Sequence, residues 1–391
     1  MNEIVTLARD GCDRATAYHM TNKIVRADDG FYVTWIDTDF QCVVAHVARD
    51  GRVLDQTALA QGFDNHCGGA LTCTPDGVLH FLSGSHSHGF VFRSKTAAGW
   101  SLPQGVGRSA TYPSLVHDLA GNLHLAHRYS GNTPVDHWGV CWYTTKPPSP
   151  WQWPSTSLVR MPCPLYAYPT NALAVGADGT LHLLVEWYKT WADGATPAHS
   201  IGVSHLERIA GKWHHTDGRE VKLLPVPLED TPLIIAKPAG NPRPGNLAVL
   251  PDNRPFFGCW DQDTGALTLS IRSQTWRTTP LDVGEIVNGE PQVAVNARGE
   301  IVLAAPCAKA LPWGDPSSQI HVFWIDPATA AIKRHRALEK EHPDEPDWLP
   351  SIEKPGPGGY PAELALIFQT GRRGKTCTDK MNCAVKFTVL D

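Results

Sequence analysis

Short apolar runs punctuated by glycine turns recur along the whole chain. A turn carrying Gly or Asn leads into an alternating or continuous apolar stretch at Asp29-Gly30-Phe31-Tyr32-Val33, Asp76-Gly77-Val78-Leu79-His80 and Gly121-Asn122-Leu123-His124-Leu125. The figure returns at Asp178-Gly179-Thr180-Leu181-His182, Asp252-Asn253-Arg254-Pro255-Phe256 and Arg298-Gly299-Glu300-Ile301-Val302, and more loosely at Gly358-Gly359-Tyr360-Pro361. Successive turns are 47, 44, 58, 74, 46 and 60 residues apart. Seven units at that spacing fit a β-propeller, whose four-stranded blades take about 40–50 residues each. The longer steps hold insertions, chiefly at 188–243. Period-two alternation puts the strands of the first unit at Asn22 to Arg26, Tyr32 to Ile36, Val43 to Val47 and Val53 to Leu59. The last unit lacks a strand after Val385 to Leu390. Glu3 to Leu7 is expected to supply it, so that the N-terminal strand joins the last blade, closes the ring and leaves no free edge. No long helical period is visible. The expectation is therefore all-β: one seven-bladed β-propeller domain spanning residues 1–391.

Composition narrows the function. The 34 Gly and 32 Pro among 391 residues suit many short strands joined by turns, and 42% hydrophobic residues supply a core. The net charge of −5 argues against a nucleic-acid binder that relies on counterion release. No apolar run approaches the roughly 18 residues of a membrane span. The start, Met1-Asn2-Glu3-Ile4, lacks the regions of a signal peptide, so a cytoplasmic location is expected, or a secreted or periplasmic one if a leader was removed. Ten Cys without a CxxC pair read as reduced, mostly buried thiols.

Propeller geometry then locates the chemistry. Each turn joins the innermost strand of a blade to the next strand, so it sits on one face of the disc. The start of the innermost strand and the end of the second strand share the opposite face. Counting back 9 to 11 residues from the turns finds His19, His66, Tyr112, Tyr168, Arg243, Glu290 and Leu349. Counting forward finds the second-strand ends His86, Arg128, Trp187 and Trp260. His, Tyr and Arg groups thus gather at one channel mouth. By contrast, His80, His124 and His182 follow the turns at repeat positions and are expected to be scaffold.

Glycoside hydrolysis usually needs two carboxylic acids flanking the bond. The mouth offers Glu290, with Glu186 or Asp261 only as strand-end neighbours. The cationic and phenolic balance suits β-elimination from a uronic acid. There a guanidinium neutralises the carboxylate, one side chain removes the C5 proton and another protonates the leaving C4 oxygen. Arg128, the pair His66 and His86, and the pair Tyr112 and Tyr168 provide these parts. His19, His88, Arg243, Trp187 and Trp260 are candidates for substrate binding, the Trp rings by stacking on sugar faces or else as packing. The expected ligand is an anionic, uronate-containing oligo- or polysaccharide, without a nucleic-acid partner, a membrane or a cofactor.

Several of these segments resemble a BNR-type propeller family. They are Tyr32 to Ala45, Asp64-Asn65-His66-Cys67-Gly68, Gly84 to Arg93, Tyr112-Pro113 leading to Arg128, and Tyr168 leading to Leu181-His182 and Trp187. That family includes seven-bladed polysaccharide lyases, notably ulvan lyases, and the resemblance covers about residues 15–190. It implies that Arg128 and one His neutralise a uronate while Tyr and His exchange protons, with Tyr112 and His86 favoured and His88 competing with His86. Some members carry a structural zinc bound by His and Cys. Here the 188–243 insertion has His199, His205, His214 and His215 but no Cys, and no metal site is claimed.

Two other functions compete. Related propellers resembling this one include rhamnosidases that act beside a glucuronate through one His, a role His19 could fill. A non-catalytic lectin or scaffold is the other. Against it, Trp260-Asp261 is a lone WD pair and the SxDxGxTW box is missing.

Overall fold

The computed structural model describes residues 3–129, 138–147, 149–151, 156–161, 167–189, 199–236 and 240–391. Regular structure within them is β-strand throughout, apart from a single 3-10 turn at Leu228–Asp230. No helix among the described residues is long and apolar enough to cross a membrane.

The first sheet follows the alternation closely. Strands Ile24–Ala27, Gly30–Ile36, Gln41–Ala48 and Val53–Gln61 pair in sequence order as an antiparallel meander. Its two faces are both covered, so its strands are apolar on both sides. Phe31, Val33, Trp35, Val43 and Ala45 pack against Ala365, Ile367, Val385 and Phe387 of the C-terminal sheet. Val25, Cys42 and Val44 turn the other way, onto Leu71, Leu79 and Phe81 of the following sheet. The figure repeats along the chain: Phe256 and Leu269 pack on Val293 and Leu303, and Val302 and Val322 on Leu364 and Leu366. Burying each such side chain contributes about 1.5–3 kcal/mol.

Among the described residues six hydrogen-bonded sheets result, five of them with four or five strands. The sixth has nine, because the long strand Gln104–His117 serves two meanders. Its first part pairs with His86–Thr96 (Gln104↔Phe92, Val106↔Phe90), its second with Leu123–Tyr129 (Ser114↔Ala126, His117↔Leu123). At the other end of the chain, Val5–Gly11 pairs antiparallel with Cys383–Leu390, in the register Val5↔Phe387. The strand expected at Glu3 to Leu7 therefore starts two residues later and ends four residues later.

The described cysteines are free thiols, seven of them buried. The repeat-position histidines are buried in the scaffold. His80 bonds Thr74 and Ser94, His124 lies 3.2 Å from Asp118, and His182 meets His205.

Candidate active site

The first strands of several meanders begin with an X-Pro step: Tyr112-Pro113, Arg243-Pro244, Glu290-Pro291 and Leu349-Pro350. Proline donates no ladder hydrogen bond, so it belongs on an edge strand or at a bulge. Pairing registers shift at three of these steps, between Thr111 and Ser114, Pro244 and Leu247, and Trp348 and Ser351. Such irregularities re-aim side chains out of the sheet. Tyr112 and Leu349 accordingly take left-handed φ values of 59° and 52°.

One cleft of about 390 Å³ collects His19, His66, Tyr112, Arg243, Trp260 and Glu290, all located by counting from the turns. Leu349 is instead buried in the apolar cluster with Trp348 and Tyr18. The backbone of Tyr168 lies on Ala167–Val175, opposite Tyr188, but its side chain falls outside the described residues.

A single strand position joins three residues distant in sequence. Thr111 pairs with His86 on one side and Arg128 on the other, and its hydroxyl accepts the Ser87 backbone N–H at 3.0 Å. Tyr112 follows at the bulge. The Arg128 guanidinium lies 4.7 Å from the Tyr112 ring centroid and 5.1 Å from that of Trp138. Arg128 is almost fully buried and, among the described residues, is not part of the cleft wall.

Asp64 organises the imidazoles. Its Oδ1 accepts the His66 backbone N–H at 2.8 Å and faces His66 Nδ1 at 3.2 Å, while Oδ2 lies 2.5 Å from His86 Nδ1. The rings of His66 and His86 stack at 4.1 Å. Burial pushes the Asp64 carboxyl up, but the hydrogen bonds from His66 and His86 outweigh it and hold the group well below the usual carboxylate range. An ionised carboxylate only accepts, so both Nδ1 atoms carry hydrogen. A neutral ring then presents Nε2 as a base. His66 Nε2 already meets Arg14 Nη1 at 3.2 Å, and burial lowers the His66 pKa to about 4 against the opposing pull of Asp64. His86 is the more exposed ring.

His19 is buried at the cleft floor, where burial, Arg243 and Lys354 bring its pKa down to about 3. Three other expectations need correcting. Trp187 is fully buried, gives its Nε1–H to Ser204 at 2.7 Å and packs in a sheet core, because its alternating position turns it away from the cleft. His88 is exposed and is not among the cleft-lining residues, its Nδ1 2.7 Å from the His86 carbonyl and its ring stacked 4.4 Å from Phe63. Trp260 reaches the cleft wall but is 3% exposed, too little surface to stack on a sugar.

The carboxylates are mostly spent. Glu186 is sealed inside, 2.7 Å from Arg243 Nε; burial raises its pKa to about 7 against the opposing pull of Arg243 and the Thr170 hydroxyl. Asp261 accepts backbone N–H groups of Asn241, Asp263 and Thr264 around a turn. Glu290 lines the cleft and lies 3.3 Å from Arg243 Nη2.

Counting missed Arg14, Tyr18, Tyr188, Gln262, Trp313 and Arg373, which also line the cleft. Arg14 donates to the Tyr18 hydroxyl at 2.5 Å. Tyr18 directly precedes His19, and Arg373 belongs to the basic turn Gly371-Arg372-Arg373-Gly374 just past strand Leu364–Thr370.

Among the described residues, three groups place potential metal-ligand atoms within 4.8 Å of one another: Asp64, His66 and Cys377; His182, His205 and Glu207; and Glu285, Cys307 and His321. Glu207 is already ion-paired with Arg272, a cation that competes with a metal there. Of the insertion histidines, His205 belongs to such a group among the described residues.

No curated protein matches the sequence. In fold, the chain is similar to an ulvan lyase of polysaccharide lyase family PL25 bound to GlcA(1-4)Rha3S, with a TM-score of 0.75 and 11% identity over 99% of this chain and 96% of that one. A crystal structure of the polysaccharide lyase Uly1 gives 0.65 at 12% identity, covering 99% and 97%. An α-L-arabinofuranosidase from Fusarium graminearum gives 0.51 at 11%, covering 84% and 98%. At such identities the likeness is one of fold. The family model described as BNR repeat-containing matches residues 31–249, more than half of the 391, and the chain belongs to that family.

Proposed function

We propose that this protein is a polysaccharide lyase that cleaves a uronate-containing glycan by β-elimination, on a single seven-bladed propeller closed by its N-terminal strand. Support for the ring comes from splitting the nine-stranded sheet at Gln104–His117, which leaves seven meanders. The pairing of Val5–Gly11 with Cys383–Leu390 supports closure.

The observation that carries the chemistry is the Asp64-bridged pair of imidazoles, of which His66 lines the cleft beside Tyr112 and His86 stacks on His66 outside the lining, while the cleft carboxylate Glu290 lies against Arg243. Hydrolysis by paired carboxyl groups needs both at the bond. Glu186 has no exposed side-chain surface, which leaves Glu290 as the only one of the three candidates facing the cleft.

In the proposed reaction Arg14, beside His66, meets the uronate carboxylate and lowers the cost of negative charge at C5. Arg128 acts from behind: a guanidinium over the ring face favours the phenolate of Tyr112 and so raises the fraction ionised and ready to take a proton. Tyr112 takes the C5 proton and the C4–O bond breaks as the C4–C5 double bond forms. His86, after picking up a solvent proton at Nε2, delivers it to the leaving oxygen. Arg128 is thereby a positioning residue rather than the direct carboxylate partner expected from sequence.

The test offers a panel of uronate-containing glycans and follows ultraviolet absorbance alongside new reducing ends. Elimination gives both signals in equal number. Reducing ends without absorbance would replace the lyase reading with hydrolysis.

A further inference from the structure

Glu285, Cys307 and His321 hold potential ligand atoms within 4.8 Å of one another, and none of the three lines the cleft. Strand pairing brings them together. Cys307 lies near the end of strand Ile301–Ala308 and His321 on the neighbouring strand Gln319–Ile325, in a register that sets Ala305 opposite His321 and Cys307 opposite Gln319. Cys307 and His321 are therefore diagonal neighbours on one face of the sheet. Glu285 directly precedes the short strand Ile286–Val287, which pairs back onto Ala308 and Cys307.

His321 is 3% exposed, yet its Nε2 has no hydrogen-bond partner among the described residues. That atom faces the Glu285 carboxylate at 3.5 Å. On the other side of the ring, Nδ1 lies 3.0 Å from His335 Nε2. An N–H at Nδ1 that donates to His335 leaves the Nε2 lone pair aimed at Glu285, and two acceptors facing each other call for a cation between them. A proton is one candidate, but burial lowers the His321 pKa against the pull of Glu285. Cys307 is 1% exposed, with its Sγ 3.9 Å from the Ala305 carbonyl, and burial together with Glu285 pushes its thiol pKa up.

A divalent ion satisfies all three groups. One thiolate and one carboxylate cancel its charge, so the buried site is neutral as a whole. Sulfur, imidazole nitrogen and carboxylate oxygen suit zinc and its neighbours rather than magnesium or calcium. A hydrogen bond such as that to His335 fixes the tautomer and orientation of a metal-bound imidazole. The other two groups are less free: Glu207 is paired with Arg272, and Asp64 already bridges two imidazoles.

We propose that Glu285, Cys307 and His321 bind one zinc-class divalent ion, which clips the connection leading to Glu290 onto its sheet. On binding, the Cys307 S–H bond breaks, the sulfur pair bonds the metal and one proton leaves to solvent. The site is independent of the lyase reading.

The experiment strips the full chain with a chelator. It is then titrated with Co2+, which reports thiolate ligation by charge-transfer absorbance, and with Zn2+ in a calorimeter. Expected are one tightly bound equivalent, the thiolate band, one proton released per ion, and a melting temperature that rises with free zinc. Cys307→Ala abolishes the band, whereas Cys377→Ser, at the other cysteine-bearing group outside this sheet, keeps it. His335→Ala weakens zinc binding by about 10–100-fold, and Glu285→Gln weakens it as well. No bound equivalent, a band that survives Cys307→Ala, or a band lost in Cys377→Ser overturns the site. Should Cys307→Ala not fold, the two variants at the exposed positions Glu285 and His335 decide, and unchanged zinc affinity in both overturns it.

Discussion

Replacing Asp64 with Asn alters almost no volume but changes what two imidazoles can do. The carboxylate now takes the His66 ring and backbone on Oδ1 and the His86 ring on Oδ2. An amide can keep the Oδ1 contacts, but then sets its NH2 against His86 Nδ1–H. His86 relieves the clash by shifting its proton to Nε2, and it can no longer pick up the one it is meant to deliver. Proton transfer by a positioned side chain is worth roughly 10²–10⁴ in rate, which is about 3–5 kcal/mol at 1.36 kcal/mol per tenfold. The stability cost is smaller, about 1–3 kcal/mol for exchanging charge-assisted for neutral hydrogen bonds, so the variant stays folded at 25 °C. Turnover by absorbance and melting by circular dichroism separate the two effects. The folded-state pKa of Asp64 lies below its unfolded value, so the carboxylate stabilises the fold above about pH 4 and loses that effect as pH falls further. The gap in melting temperature between wild type and Asp64→Asn should therefore close on acidification. A folded Asp64→Asn protein turning over within about threefold of wild type would remove Asp64 from the mechanism.

Arg128→Met is expected to cut kcat and to move the limb of the pH profile that reports Tyr112 upward, because the phenolate loses the cation over its ring; an unmoved limb would deny Arg128 that role. Arg243→Ala strands the sealed Glu186 carboxylate and should cost about 3–5 kcal/mol in urea unfolding, with Glu186→Gln added to it recovering part of the loss. The Glu186 pKa is raised from 4.5 to about 7, so its contribution is complete below pH 4.5 and is lost as pH rises through 7. Glu186→Gln should flatten the melting temperature over that interval, and a profile identical to wild type would count against it. Deleting residues 1–11 leaves Cys383–Leu390 as a bare edge, and a lower melting temperature with concentration-dependent association is expected in light scattering.

Much of the architecture was legible because strand period and turn chemistry are local. Gly30, Gly77, Gly121, Gly179 and Gly299 all take left-handed φ or pack too tightly for a Cβ, which is why the spacing between them marks the units. Counting from those turns reached His19, His66, Tyr112, Arg243, Trp260 and Glu290, since strand length converts directly into position along a blade.

The count could not say which way a residue faces once a bulge intervenes. Trp187 and Arg128 both end second strands, yet one is sealed in a sheet core and the other lies behind Tyr112. Nor could it find Arg14, Trp313 or Arg373, which lie in connections between strands and meet only when sheets pack side by side. Charge pairing is equally non-local: Arg243 is silenced by Glu186 and Glu290, while Arg14 and Arg373 share Trp313. Periodicity along the chain thus determines the strands and the strand ends where polar groups collect, because both depend on neighbours a few residues away. Which of those groups is neutralised, buried or turned toward ligand depends on partners up to hundreds of residues distant, and only packing brings them within the few ångströms over which such interactions act.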